Sequence, residues 1–204
     1  GAGKTTLVRQ ITTELLPTSG CVSVLGHDVV KEPNKVKSLL GVVPQEATLF
    51  DYLTVYHHLR IFAKLRGLKP RESGAKAEEL IQDLDLMEHR DVLVRKLSGG
   101  LRRRVLVGIA STARPPVMVL DEPTNYLDLK GVTWLERYLT YFAPAVVVVS
   151  HDRYFLDEMA TQIWEIDHGR MNVFPGNFSK YRVLKGERDL RLAKEYEAQQ
   201  EFIA

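Results

Sequence analysis

The stretch that most restricts the fold stands at the very start of the 204-residue sequence. It reads GAGKTT, Gly1 to Thr6, and Leu7, Val8, Ile11 and Leu15 follow it at helical spacing. Gly3-Lys4-Thr5 matches the end of a phosphate-binding loop of the G-x-x-x-x-G-K-[ST] kind. Such a loop works only if a helix starts directly after the lysine, because the free N–H groups and dipole of that helix then face the anion. A plain loop-to-helix junction is the other reading of the same residues. The first glycine of the full pattern, and the strand that feeds the loop, would both precede residue 1. The expectation is an α/β domain truncated at its N-terminus, whose neighbouring strands would expose unpaired backbone groups.

The texture along the chain supports a layered α/β core with a helical insert. CVSVLG alternates like a strand, and LLGVVPQ (Leu39 to Gln45) is a short apolar run ended by Pro44. From about residue 46 to 113 the pattern is helical, in TVYHHLRIFAKLRGL, ESGAKAEELIQDLDL and LSGGLRRRVLVGIASTA. The strand pattern returns in PPVMVLDE, and a helix follows around Val132 to Tyr141. AVVVVS (Ala145 to Ser150) is continuous and β-branched, as a buried parallel strand is. RYFLDEMA reads as a short helix, and QIWEID and MNVF as strands. From Phe178 the chain is charged and helix-prone.

Four further stretches carry chemistry. VMVLDE ends an apolar strand in two acids, so Asp121 could hold Mg²⁺ and Glu122 could polarise a water. Alone, it is equally an exposed strand end. LSGG (Leu97 to Gly100) opens a helix with a serine and two glycines, a second anion-suited helix start. Gln45 after VVP and His151 after VVVVS are each weak signals by themselves.

Their order is the specific feature. Lys4, Gln45, Ser98-Gly99-Gly100, Asp121-Glu122, Asp128 and His151, in that sequence, resemble the ATP-binding cassette (ABC) ATPases from residue 1 to about residue 175. The resemblance implies an α/β P-loop NTPase core of ABC type with an inserted helical subdomain at about residues 46–113. It implies an ATPase domain over residues 1–176, ATP and Mg²⁺ as cofactors, and hydrolysis at a head-to-tail dimer of cassettes. Gly1, Ala2, Gly3, Lys4, Thr5 and Thr6 would bind nucleotide. Thr5, Gln45 and Asp121 would hold the metal. Glu122, His151 and Gln45 would be catalytic, and Asp128 would belong to the D-loop, NYLD. Ser98, Gly99 and Gly100 would contact the ATP of a partner cassette. Leu101 departs from the glutamine or charged residue usual after this signature, and the aromatic that usually stacks on adenine would lie before residue 1.

The two halves resemble different branches. PTSGCVSVLGHDVVKEP through AKLRGL looks like the ATPase subunit of an ABC exporter, whereas SHDRYFLDEM and PGNFSKYRVLKGERDL resemble the soluble ABC-F proteins that act on the ribosome. In the latter, residues 177–204 would start a helical linker. Partners would then be a second cassette in the same or another chain, with ribosomal RNA for an ABC-F protein or a membrane permease for an exporter. A truncated or chimeric fragment of little activity is the third reading. Net charge of +2, from 28 basic and 26 acidic residues, gives no electrostatic case for or against RNA. The single Cys21 cannot form an internal disulfide, which fits a cytoplasmic, reducing compartment. No apolar run approaches the roughly 18 residues of a membrane span, so no direct membrane insertion is expected.

Overall fold

The computed structural model describes residues 3–142, 145–167 and 169–203. The chain divides into two compact units, one spanning Lys4–His151, the other running on from Asp152 and including Gly3.

In the larger unit, helix α1 (Lys4–Ile11) opens the chain. It is shorter than the spacing of Leu15 predicts, because the backbone turns at Thr13 (φ 64°) and the Glu14 and Leu15 N–H groups both bond the Arg9 carbonyl. CVSVLG forms only a two-residue strand, β1 (Ser23–Val24), which pairs antiparallel with β2 (His27–Asp28). The loop between them, Leu25-Gly26, has φ of 49° and 84°, the tight hairpin geometry that suits the strand twist. Cys21 lies exposed before it. Helix α2 (Pro33–Leu39) then leads into β3 (Leu40–Val43).

Helices α3 (Val55–Leu65), α4 (Pro70–Asp83) and α5 (Gly99–Ser111) separate β3 from β4 (Val117–Asp121). Their apolar faces meet in a core in which Leu59, Ala63, Ala77, Leu80, Ile81, Leu84 and Val105 are fully buried. Helix α5 also packs on β3, at Gly41. A Cβ there would stand 2.5 Å from the Ala110 carbonyl oxygen, so only glycine allows helix and strand to approach this closely. Helix α6 (Leu129–Phe142) follows β4, and β5 (Ala145–Val149) completes a parallel sheet of order β3-β4-β5. Strand β4 is buried throughout. The valines of β5, expected to be buried, are half-buried, because β5 pairs only with β4 among the described residues. Val8 and Ile11 of α1 join Val36, Leu40, Val117 and Val119 in the core against this sheet.

The smaller unit holds α7 (Arg153–Met159), an antiparallel hairpin of β6 (Gln162–Asp167) and β7 (Arg170–Pro175), and α8 (Phe178–Ile203). At 26 residues, α8 is roughly 39 Å long. Its first turns are held by side chains. Ser179 bonds Asp157 on α7 through both its N–H and its hydroxyl, and Tyr181 donates to Glu165 on β6 at 2.7 Å. Lys185 pairs with the same Glu165.

One buried titratable group ties the segment after Gln45 to the helical layer. His58 on α3 is fully buried, lies between the Phe50 and Phe62 rings, and its Nε2 accepts the Phe50 N–H at 2.9 Å. Accepting that bond requires a neutral ring. Burial, the larger effect, lowers the His58 pKa from its ordinary 6.5, against a smaller rise from the Thr54 carbonyl. The unfolded chain therefore takes up this proton first as pH falls. The stability His58 contributes is present above about pH 6.5 and is lost as pH falls from there through its lower folded value. Thermal unfolding should drop between pH 7.5 and 5.5, and His58→Leu should flatten that slope. An unchanged slope in the variant would remove His58 from this role.

Candidate functional site

Parallel register delivers the candidate residues to one end of the sheet. Val43, Leu120 and Val148 stand side by side across β3, β4 and β5. Gln45 follows β3 by two residues, Asp121 ends β4 with Glu122 directly after it, and His151 follows β5 by two residues. Lys4 and Thr5 form the first turn of α1, which packs against β4. Gly3 before them has a φ of 85°, a left-handed conformation that glycine adopts without strain. Thr5 and Thr6 are exposed. Gly1 and Ala2 lie outside the described residues.

Glu122 is held from three directions. Its N–H bonds the Val149 carbonyl at 2.7 Å, and its own carbonyl accepts from Arg103 at 3.0 Å. One carboxylate oxygen accepts the His151 N–H at 3.2 Å, and the other lies 3.4 Å from His151 Nε2. The backbone of Glu122 is left-handed, with φ of 46°, a conformation a glutamate keeps only when its surroundings impose it. Glu122 is nearly buried, while the His151 side chain is 80% exposed. Beside it, Asp121 has its carboxyl pKa raised, first by burial and then by the Glu122 charge, with Arg103 and Lys4 opposing. Lys4 therefore acts on the acid at the end of β4.

Arg103 is the residue that sequence reasoning missed. It is 3% exposed and, among the described residues, its guanidinium bonds backbone carbonyls alone, those of Pro44, Gln45, Asp121, Glu122 and Pro123. Desolvation lowers its pKa from the ordinary value, against the attraction of Asp121 and Glu122. A signal was present in the sequence: Arg103 falls four residues before buried Val107, on the inward face of α5.

Ser98, Gly99 and Gly100 form a second cluster. Ser98 caps α5, its Oγ accepting the Leu101 N–H at 3.3 Å. Tyr126 lies over the glycines: a Cβ on Gly99 would stand 3.1 Å from the Tyr126 Cβ. Asp128 accepts the Gly131 N–H at 2.8 Å, which makes it the N-cap of α6.

Among the described residues no group of three His, Cys, Asp or Glu side chains could hold a metal ion. Mg²⁺ does not need one. It favours oxygen donors and is commonly held by one or two carboxylates together with substrate phosphates. The Asp121 carboxylate near Lys4, with the exposed Thr5 hydroxyl and the Gln45 amide as candidate donors, is a set of that chemistry.

The family described as ABC transporter matches residues 1–125, and a second family with the same description matches residues 164–204. The chain belongs to the ABC transporter family. It is an ATP-binding cassette ATPase domain of P-loop α/β type. Human ATP-binding cassette sub-family F member 3 is 31% identical over 99% of this chain and 31% of its own length. The daunorubicin resistance ATP-binding protein DrrA3 of Streptomyces coeruleorubidus is 37% identical over 84% of this chain and 55% of its own length. The chain thus spans about a third to a half of these ABC relatives. An ATP-binding subunit of an ABC transporter shares the fold at a TM-score of 0.75 and 22% identity, over 91% of this chain and 78% of that one. The dimeric cassette MJ0796, in a post-hydrolysis state with ADP and Pi, does so at 0.73 and 23%, over 85% and 81%. Among the described residues no helix is long and apolar enough to cross a membrane.

The cap at Asp128 has a measurable consequence. Asp128→Ala should cost about 1 kcal/mol, typical for losing an N-cap, and lower the melting temperature by roughly 2–4 °C. Asp128→Asn, which also caps, should be nearly neutral. Equal melting of all three proteins would show that the cap contributes nothing.

Proposed function

We propose that this cassette hydrolyses ATP, with the carboxylate of Glu122 as the group that polarises the attacking water. The observation that carries this reading is the clamped Glu122 side chain beside Asp121, at the sheet end to which Lys4 also belongs. Lys4 and the N–H groups opening α1 bind the β- and γ-phosphates. Asp121, Thr5 and Gln45 hold Mg²⁺, which when bound neutralises charge on the phosphate oxygens. His151 fixes the Glu122 carboxylate through its N–H and turns its exposed imidazole toward the γ-phosphate. The carboxylate takes a proton from water as the water oxygen bonds to the γ-phosphorus and the bond from that phosphorus to the β–γ bridging oxygen breaks, with ADP leaving. The fixed position of the carboxylate reduces the reorganisation the reaction requires.

Ser98, Gly99 and Gly100, whose glycines pack against Tyr126 of the NYLD stretch, contact the ATP of a second cassette. A pair of cassettes placed head to tail then holds two ATP molecules at its interface. Residues 1–176 form the cassette, with residues 46–113 as its helical subdomain, and α8 begins a linker. The protein is a cytoplasmic ABC-F-type factor acting on the ribosome. The ABC-F likeness supports this because it extends over 99% of the chain, α8 included. A second reading, the motor subunit of a membrane exporter, draws on the higher identity to DrrA3 over 84% of the chain. The length of α8 and its pinned base favour the first.

In the complete protein, Glu122→Gln should keep ATP binding and lower turnover by at least about a hundredfold, the lower range for a positioned general base. Lys4→Ala should instead weaken binding of a fluorescent ATP analogue by about tenfold or more, the scale of one charge-assisted hydrogen bond. Wild-type turnover in Glu122→Gln would overturn the assignment.

A further inference from the structure

We propose that Arg103 is a positioning residue for ATP hydrolysis. Its buried guanidinium sets the backbone of Glu122 and Gln45 and ties both to helix α5, whose start is the signature Ser98-Gly99-Gly100. The inference rests on the catalytic reading of Glu122 given above.

The geometry is specific. Nη2 donates to the Asp121 carbonyl at 2.7 Å and the Glu122 carbonyl at 3.0 Å. Nη1 donates to Pro44 at 2.8 Å and lies 3.5 Å from the Gln45 carbonyl, and Nε donates to Pro123 at 3.3 Å. One planar fork thus joins the exit of β3 to the exit of β4. A guanidinium carries five N–H donors in a fixed plane, so it can bridge two chain segments; an ammonium is a single point with three.

Stability alone does not explain a cation in this position. Burying a charge is costly, and an apolar side chain of similar volume commonly serves a core as well or better. The carbonyls that Arg103 holds belong to residues whose side chains do the work: Asp121, Glu122 and Gln45. Glu122 also has the left-handed backbone, which needs outside support. Arg103 supplies it at the carbonyl, while Val149 supplies it at the N–H.

Arg103 sits five residues after Ser98 on a continuous helix. A partner cassette's phosphate arriving at the start of α5 therefore acts on a rigid element that carries the Glu122 clamp. Seating of the partner's ATP and alignment of this cassette's own base become one event.

The test uses the complete protein and Arg103→Lys, which keeps the charge and loses the fork. Melting temperature should fall, because the buried carbonyls lose donors, but the protein should still fold at assay temperature. ATP affinity should stay near wild type, and KM should not move. Turnover should fall about tenfold or more, because a misplacement near 1 Å can cost a hundredfold. In a Glu122→Gln background the same substitution should lower residual turnover by a clearly smaller factor, since the part of its effect that acts through Glu122 is already gone. A purely structural role would not produce that coupling. Arg103→Gln carries the same comparison should Arg103→Lys fail to fold. Turnover of Arg103→Lys within twofold of wild type, or an equal loss in both backgrounds, overturns the inference. Wild-type turnover in Glu122→Gln alone would instead overturn the catalytic reading, and this inference with it.

Discussion

The parallel register of β3, β4 and β5 is the constraint on which the rest of the site depends. Leu40 to Val43, Val117 to Leu120 and Ala145 to Val148 run side by side without a slip, so three strands separated by long stretches of chain end at one level. Side chains alternate faces along a strand, and a one-residue slip would turn every valine of β5 over. It would also carry His151 away from Glu122. The apolar run that makes β4 buried is thus the same feature that sets the distance between Glu122 and His151. Packing and chemistry are linked through one set of backbone hydrogen bonds.

On that frame, polar groups are concentrated where the strands stop. Asp121 and Glu122 are both nearly buried, and so is Arg103. Burial, and then the neighbouring Glu122 charge, raise the Asp121 pKa, while the guanidinium and Lys4 restrain it. Burying these charges is costly for a small domain, and hydrogen bonds offset part of it: Arg103 donates to backbone carbonyls and the Glu122 carboxylate accepts the His151 N–H. The helical layer is organised in the opposite way. Away from Arg103 its core is mainly apolar, its ion pairs (Arg90 with Glu78, Arg104 with Asp85, Lys76 with Glu79) each keep at least one partner partly exposed, and its buried His58 is held by a backbone N–H. In this chain the strained backbone at Glu122 accompanies the candidate chemistry, while the helical layer is plain packing.

Much of this was legible in the sequence, because short motifs with a mechanical reason carry their context with them. Gly3-Lys4-Thr5 before an apolar helix, the acids after VMVL, and the serine and glycines opening α5 each identify an element as well as a residue. The α3 helix follows from apolar residues on one side, and α4 and α5 read as helices as well. QIWEID and MNVF read as strands, though their pairing as a hairpin does not appear until β6 and β7 are seen together. What was not legible depends on contacts between distant segments. Arg103 looks like one of three surface arginines until its carbonyl partners, 58 and 59 residues away, are known. The exposure of β5 depends on which strands pair with it, and CVSVLG stops short as a strand because Leu25-Gly26 turns the chain back. Asp128 reads as a D-loop residue and is also a helix cap, and no motif distinguishes those two uses of one carboxylate.

In the proposed mechanism Lys4, Asp121 and Glu122 address the same bound ATP. The most direct measurement is an experimental structure of the complete protein carrying Glu122→Gln, trapped with ATP and Mg²⁺. The β- and γ-phosphates should lie within hydrogen-bond reach of Lys4 Nζ and the first turn of α1. The metal should sit toward Asp121 and Thr5, and Ser98, Gly99 and Gly100 should face the phosphate of the other cassette. Nucleotide bound away from Lys4, or a γ-phosphate beyond the reach of a water held by residue 122, would contradict the account.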